Sequence, residues 1–243
     1  MNYYIMKYAT DPKIIGSNFP QLKKMFDGFH ALRRYEAFGL FNEVRHTPME
    51  KVTGFELKYH ARVTDWVSAA QFGTDSALFS ERFYKLLQTF NCMDDVSVEA
   101  EVNHHNKTYP YKFIYFPTTY DHFIDFIRSR FYVKINKSIE HINFENYDHF
   151  TSTKIGFDNF NKEAGQKGLY KIQKYIWLLE VYLDESKIDM DFFRLGVSIE
   201  WIVSARLKEA IEAAGMTGMT FLPAQGHLKP TMDNSVNPPR EVR

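Results

Sequence analysis

The sequence predicts an α+β fold, with mixed or antiparallel sheets and several packed helices, on three observations. The stretches Lys51–Val63 and Val96–Val102 alternate apolar and polar residues, as half-buried strands do. Two other stretches, behind Ser80 and Ser204, repeat apolar residues at helical spacing. Around them lie 243 residues, 44% hydrophobic and 16% aromatic, enough to bury a sizeable core without a disulfide or a structural metal.

Taken in order, Asn2–Tyr8 is a short aromatic and β-branched run that reads as an opening strand, closed by the turn signals Asp11-Pro12 and Gly16. Behind Pro20, the spacing of Leu22, Met25, Phe26 and Phe29 predicts a short helix over Gln21–Phe29. Lys51–Val63 follows as a strand. Ser80 then caps an amphipathic helix reaching Phe90, with Phe83, Leu86, Leu87 and Phe90 on one face. Val96–Val102, the polar turn Asn103–Lys107 and the aromatic run Tyr109–Phe116 make a β-hairpin. Near the end, Ile199–Val203 is a strand and Ser204 caps a second helix with Leu207, Ala210, Ile211 and Ala214 on one face. Gly215 ends that helix in the left-handed conformation, and Met216–Leu222 is extended.

The two capped helices open on matching hexads, Leu78-Phe79-Ser80-Glu81-Arg82-Phe83 and Ile202-Val203-Ser204-Ala205-Arg206-Leu207. They are compatible with a diverged internal duplication of a strand-helix-strand unit, and equally with chance recurrence of a Ser cap. Residues 1–223 read as a single α+β domain with room for two lobes. Residues 224–243, with Pro230, Pro238 and Pro239 among polar residues, read as a flexible C-terminal tail.

Thirty basic residues against thirty acidic ones give no long-range attraction for phosphate backbones or anionic lipid, which argues against nucleic acid and membrane as partners. The lone Cys92 forms no internal disulfide, the opening residues lack a signal-peptide pattern, and the most apolar stretch, Tyr175–Leu183, is too short to cross a bilayer. A cytoplasmic protein is expected.

Catalytic signatures are missing. There is no Gly-x-Ser-x-Gly elbow, Cys92 stands before acidic Asp94-Asp95, and Gly165-Gln166-Lys167-Gly168 reads as a polar loop without the length of a phosphate loop. His104, His105, His122, His141 and His149 cluster in the middle third but lack the short fixed spacing of metal ligands. Asp94-Asp95 and Asp189 with Asp191 read as turn residues, and Tyr109, Tyr111, Phe113, Tyr115 and Phe116 as core and interface aromatics. No catalytic, cofactor-binding or metal-binding residue is therefore assigned.

The segment Ile202–Pro223, with a Ser-capped helix, Gly215, and then Met216-Thr217-Gly218-Met219-Thr220-Phe221, resembles the C-terminal signature of an immunity-protein family from bacterial polymorphic toxin systems. Asn2–Tyr8, Asp65–Leu87 and Leu183–Leu195 are consistent with it, so that about half the chain is covered. The resemblance implies an α+β protein without catalytic residues or cofactors, whose partner is a cognate toxin that it neutralises by direct binding. Ser204, Arg206, Gly215, Gly218 and Phe221 then read as cap, helix face, helix end, turn and core anchor. Contact residues and oligomeric state are not specified by the sequence. The alternatives are an enzyme using the central histidines and nearby acids, with or without a metal, and a nucleic-acid module built on Tyr109–Phe116.

Overall fold

The computed structural model describes residues 2–25, 51–69, 75–136, 138–198 and 200–228. Strands and helices are both present, with mixed and antiparallel sheets, so the chain is α+β. It divides into two compact units: Met1–Thr119 with Asp189–Arg194 and Ile199–Leu222, and Tyr120–Ile188 with Leu195–Ser198 and Pro223–Arg243.

The first unit contains β1 (Tyr3–Tyr8), the single turn α1 (Pro12–Ile15), β2 (Leu22–Lys24), β3 (Lys51–Leu57), β4 (Trp66–Val67), β5 (Ser76–Ser80), α2 (Glu81–Leu87), β6 (Val96–His104) and β7 (Lys107–Tyr115). Six of these strands form one sheet in the order β2-β3-β6-β7-β5-β4, antiparallel except where β3 runs parallel to β6. The β6–β7 hairpin pairs without a break from Val96↔Tyr115 to His104↔Lys107. Its turn residues His105 and Asn106 have φ of 47° and 61°, the left-handed pair that a two-residue hairpin requires. The alternation seen in the sequence is the burial pattern, since Val98, Ala100 and Val102 enter the core with Phe55, Tyr111 and Phe113.

Two expectations for this region change. Leu22–Lys24 is extended, because Gln21 and Leu22 are bound from both sides: Gln21 N–H donates to Ser68 Oγ at 3.0 Å, Leu22 N–H to the Ser68 carbonyl at 3.2 Å, and Lys58 N–H to the Gln21 carbonyl at 2.9 Å. Leu22 and Met25 are buried as helical spacing would have them, but sheet pairing decides the backbone. Phe26 and Phe29 lie outside the described residues. The strand expected over Lys51–Val63 stops at Leu57, where the turn at Tyr59-His60 begins.

The later elements of the unit are β11 (Phe192–Leu195), β12 (Glu200–Ser204), α4 (Ala205–Ala213) and β13 (Met219–Pro223), and these strands form a second sheet with β1 in the order β11-β12-β1-β13. Rings from both sheets meet in the interior. Trp66 lies edge-on to Phe79 at 5.7 Å and to Trp201 at 6.0 Å, while Phe116 lies edge-on to Phe192 at 5.6 Å and to Trp201 at 4.9 Å.

The second unit contains β8 (Arg130–Ile135), β9 (Ser138–Ile142), α3 (Tyr147–Gln166), β10 (Lys174–Val181) and β14 (His227–Leu228), the strands forming an antiparallel sheet in the order β14-β10-β8-β9. Asn146 caps α3 by accepting from His149 N–H at 2.8 Å, and Phe126, Phe131, Phe144 and Phe150 pack as rings beneath it. Gly165 and Gln166, expected in a loop, complete this helix, and Gly168 leaves it at φ 70°. Beyond Pro223, Ala224 is buried and His227–Leu228 pairs with β10. The remaining tail, 229–243, lies outside the described residues. No helix among the described residues is long and apolar enough to cross a membrane.

Candidate functional site: two carboxylate frames and an acidic cleft

Asp65 and Asp191 organise the first unit in the same way. Ser80, at the end of β5, donates its N–H to the Asp65 carbonyl at 2.8 Å and its hydroxyl to Asp65 Oδ1 at 2.6 Å, and as N-cap it accepts from Phe83 N–H at 3.2 Å. Arg82 grips the same carboxylate with two nitrogens, Nε to Oδ1 and Nη2 to Oδ2, each at 2.6 Å. In the second frame Ser204 donates its N–H to the Asp191 carbonyl at 2.8 Å and its hydroxyl to Asp191 Oδ1 at 2.6 Å, and accepts from Leu207 N–H at 3.2 Å. Arg206 holds Asp191 with Nε at 2.5 Å and with Nη2.

Each frame is completed from the other. The chain leaving α4 supplies Thr217 N–H to Asp65 Oδ2 at 2.9 Å, and the chain leaving α2 supplies Asn91 N–H to Asp191 Oδ2 at 3.0 Å. The return bonds run from Asp65 N–H to the Thr217 carbonyl at 2.9 Å and from Asp191 N–H to the Asn91 carbonyl at 2.6 Å. Even the flanking tyrosines agree: the Tyr111 hydroxyl donates to the Thr64 carbonyl, and the Tyr3 hydroxyl to the Met190 carbonyl. The strand order β4-β5-β7-β6 around the first frame matches β11-β12-β1-β13 around the second.

Both carboxylates are enclosed, with side-chain exposures of 4% for Asp65 and 1% for Asp191, while both arginines are 58% exposed. Burial by itself would raise these carboxyls. The Arg82, Ser80 and Thr217 donors outweigh it at Asp65, and the Arg206, Ser204 and Asn91 donors at Asp191, so both are held below the usual carboxylate range. A carboxylate held ionised at neutral pH and bonded at both oxygens is a poor acid, base or nucleophile and a good brace.

Asp191, expected to serve a turn, is thus a buried ion-pair centre, and Asp65 gave no local signal in the sequence. Of the signature residues, Ser204 caps α4, Arg206 holds Asp191, and Gly215 is left-handed at φ 60°. Gly218, at φ 97°, lies so close to β4 that a Cβ would stand 2.3 Å from the Trp66 carbonyl oxygen. Phe221 is only partly buried and lies beneath the Lys208 ammonium at 5.7 Å, a surface role in place of the core anchor expected.

The other candidate residues separate. His104 and His105 sit at the hairpin turn of the first unit, whereas His122, His141 and His149 belong to the second. Among the described residues no group of three or more His, Cys, Asp or Glu side chains is placed to hold a metal ion. Of the Tyr109–Phe116 aromatics, Tyr111, Phe113 and Phe116 are buried and only Tyr109 and Tyr115 are partly exposed.

A cleft of about 450 Å³ opens where α2 ends, lined by Tyr84, Leu87, Gln88 and Phe90, by the following loop with Cys92, Met93, Asp94 and Asp95, and by the buried rings of Phe116 and Phe192. The Tyr84 hydroxyl donates to Asp95 at 3.0 Å and accepts from Ser97 at 3.0 Å. Partial burial pushes the Asp95 carboxyl above its ordinary value. Cys92, on the same wall, is a poor nucleophile: burial, with Asp191 and Asp95 nearby, pushes its thiol up to about 12. No known family model matches the chain, and no curated protein matches it in sequence.

Proposed function

We propose that this chain is a non-catalytic binding protein of the cytoplasm, an immunity protein that neutralises a cognate bacterial toxin by direct binding. The observation that carries the reading is the segment Ile202–Pro223, which resembles an immunity-protein signature. Its most conspicuous polar groups, Ser204 and Arg206, are committed to bracing Asp191. Residues occupied in this way leave activity to the surface, where a folded face can occlude the toxin. The test is co-expression of the full chain with the toxin encoded beside it. Restored growth and a complex that survives gel filtration are expected; survival no better than with an empty vector refutes the reading.

We further propose that the two frames derive from one duplicated strand-helix-strand unit. Support comes from the shared strand order and from eight matched hydrogen bonds around Asp65 and Asp191. Chance recurrence of a Ser cap would give the hexads alone. A profile built from relatives of residues 64–96 should retrieve residues 190–222; failure with a deep set of relatives counts against common descent.

A further inference from the structure

Charge and apolar surface are unevenly spread over the second unit. Residues 160–175 hold four lysines and a single acid, Glu163. They also hold five of the twelve large hydrophobic residues left exposed among the described residues: Phe160, Leu169, Tyr170, Ile172 and Tyr175. Tyr170 is 68% exposed and the other four lie between 36% and 49%, so these side chains meet solvent directly.

The stretch is fastened at one end of the unit's sheet. After α3 the chain makes a single turn of 3-10 helix at Tyr170–Ile172 and enters β10. Asn161 of the helix clasps the first residue of that strand, accepting from Lys174 N–H at 2.7 Å and donating to the Lys174 carbonyl at 2.6 Å. Gln173 donates to the Asn161 carbonyl at 3.2 Å and accepts from the Tyr175 hydroxyl at 2.7 Å. Tyr175 pairs in register with Lys134, so the β8–β9 turn stands at the same end. Helix end, turn and strand start are therefore ordered before anything binds them.

The lysines of this end are not neutralised. Lys134, Lys162, Lys167 and Lys174 have no ion-pair partner among the described residues, whereas Arg130 and Lys187 of the same unit pair with Glu180 and Asp184. At physiological salt, charges more than about 8 Å away are largely screened, so this local excess outweighs the zero net charge of the whole chain. Lysine is depleted at protein interfaces, and leucine and isoleucine do not stack on bases. Exposed aliphatic and tyrosine side chains ringed by unpaired lysines suit the headgroup layer of an anionic bilayer, which takes up the apolar groups and attracts the cations.

We propose that this end of the second unit is a peripheral docking surface for anionic lipid bilayers. Leu169, Tyr170 and Ile172 enter the headgroup layer, and Lys162 and Lys167 face the lipid anions. Such docking is superficial and requires no spanning helix. The proposal goes beyond the toxin-binding reading and does not depend on it.

The test is sedimentation of the full chain with phosphatidylcholine vesicles containing about 30% phosphatidylserine. Binding should fall about tenfold on pure phosphatidylcholine, and again when salt is raised to about 0.5 M. The variants K162E/K167E and L169S/Y170S replace exposed side chains, should unfold in urea where the wild type does, and should each lose the binding. The variant K13E/K107E reverses two exposed lysines of the first unit, changes the net charge equally, and should bind as the wild type does. No sedimentation with the phosphatidylserine vesicles overturns the proposal. So does binding that survives in either patch variant, or that K13E/K107E loses as fully as K162E/K167E. Wild-type protein that ignores vesicles but holds a protein or a single-stranded DNA through these same residues also overturns it and gives the surface to that partner.

Discussion

The two carboxylate frames are nearly superimposable in their internal bonding and opposite in their dressing. Each holds an aspartate with a serine hydroxyl, an arginine fork and an amide from the other frame's helix exit. Beside the first, a β7 lysine, Lys112, lies over a helix tyrosine, Tyr84; beside the second, a helix lysine, Lys208, lies over a β1 tyrosine, Tyr4. The cation and the ring have exchanged elements. The contrast teaches that the buried bonds constrain the residues, because an unpaired carboxylate in the interior is costly, whereas half-buried cation–ring pairs tolerate exchange as long as one of each is present.

The largest way to break the equivalence is at the crossing points. Gly218 faces the Trp66 carbonyl at φ 97°, while Gly215 stands in open space at φ 60°. Gly218→Ala should cost about 4 kcal/mol or abolish accumulation of folded protein, and Gly215→Ala about 1 kcal/mol, measured by urea unfolding. Equal effects would mean that the close approach to β4 does not matter.

Removal of either aspartate is the next largest perturbation. Asp65→Ala and Asp191→Ala should each cost about 3 kcal/mol, because the serine, arginine and amide donors lose a common acceptor while the exposed arginines recover hydration. A large inequality between them would show that one frame is the true brace and the other incidental.

Acid unfolding sharpens the same point. Both carboxyls are held below their unfolded value near 3.9, so their stabilisation is complete above about pH 4 and is lost as pH falls through the lower folded values. Urea midpoints measured downward from pH 6 should hold to about pH 4 and then fall. The pair D65N/D191N should be less stable at neutral pH and show a shallower acid decline; an unchanged slope would assign the acid sensitivity to other carboxyls.

The smallest effect is in the exchanged pairs. Double-mutant cycles for Lys112 with Tyr84 and for Lys208 with Tyr4 should each give a coupling of about 0.5 kcal/mol, the scale of cation–ring contacts that keep some access to solvent. A coupling confined to one pair would show that only that helix is fastened by its lysine.

Much of the first unit was legible residue by residue. The β6–β7 hairpin, the Ser80 and Ser204 caps and the left-handed Gly215 all stand where patterning puts them. Segment 21–25 was misread because Leu22 and Met25 satisfy helical spacing and a core-facing extended segment equally well. The second unit was scarcely legible: α3 is a 20-residue helix with only Phe150 and Ala164 buried, so its sequence carries little amphipathic signal. The hexads exposed Ser80, Arg82, Ser204 and Arg206 but left Asp65 and Asp191 hidden, since no period relates an acid to a cap that follows it by 15 residues in one frame and 13 in the other.

What the sequence determined by itself is the set of features closed within a few residues. A serine reaches an amide three positions on, a glycine ends a helix, and a two-residue turn fixes a hairpin register, all without help from distant chain. Tertiary structure alone decided the frames, whose closing bonds join Thr217 to Asp65 across 152 positions and Asn91 to Asp191 across 100. Bonds of that span follow from burial of a charge that must be neutralised once the two sheets meet. Only the assembled core dictates which amide is within reach.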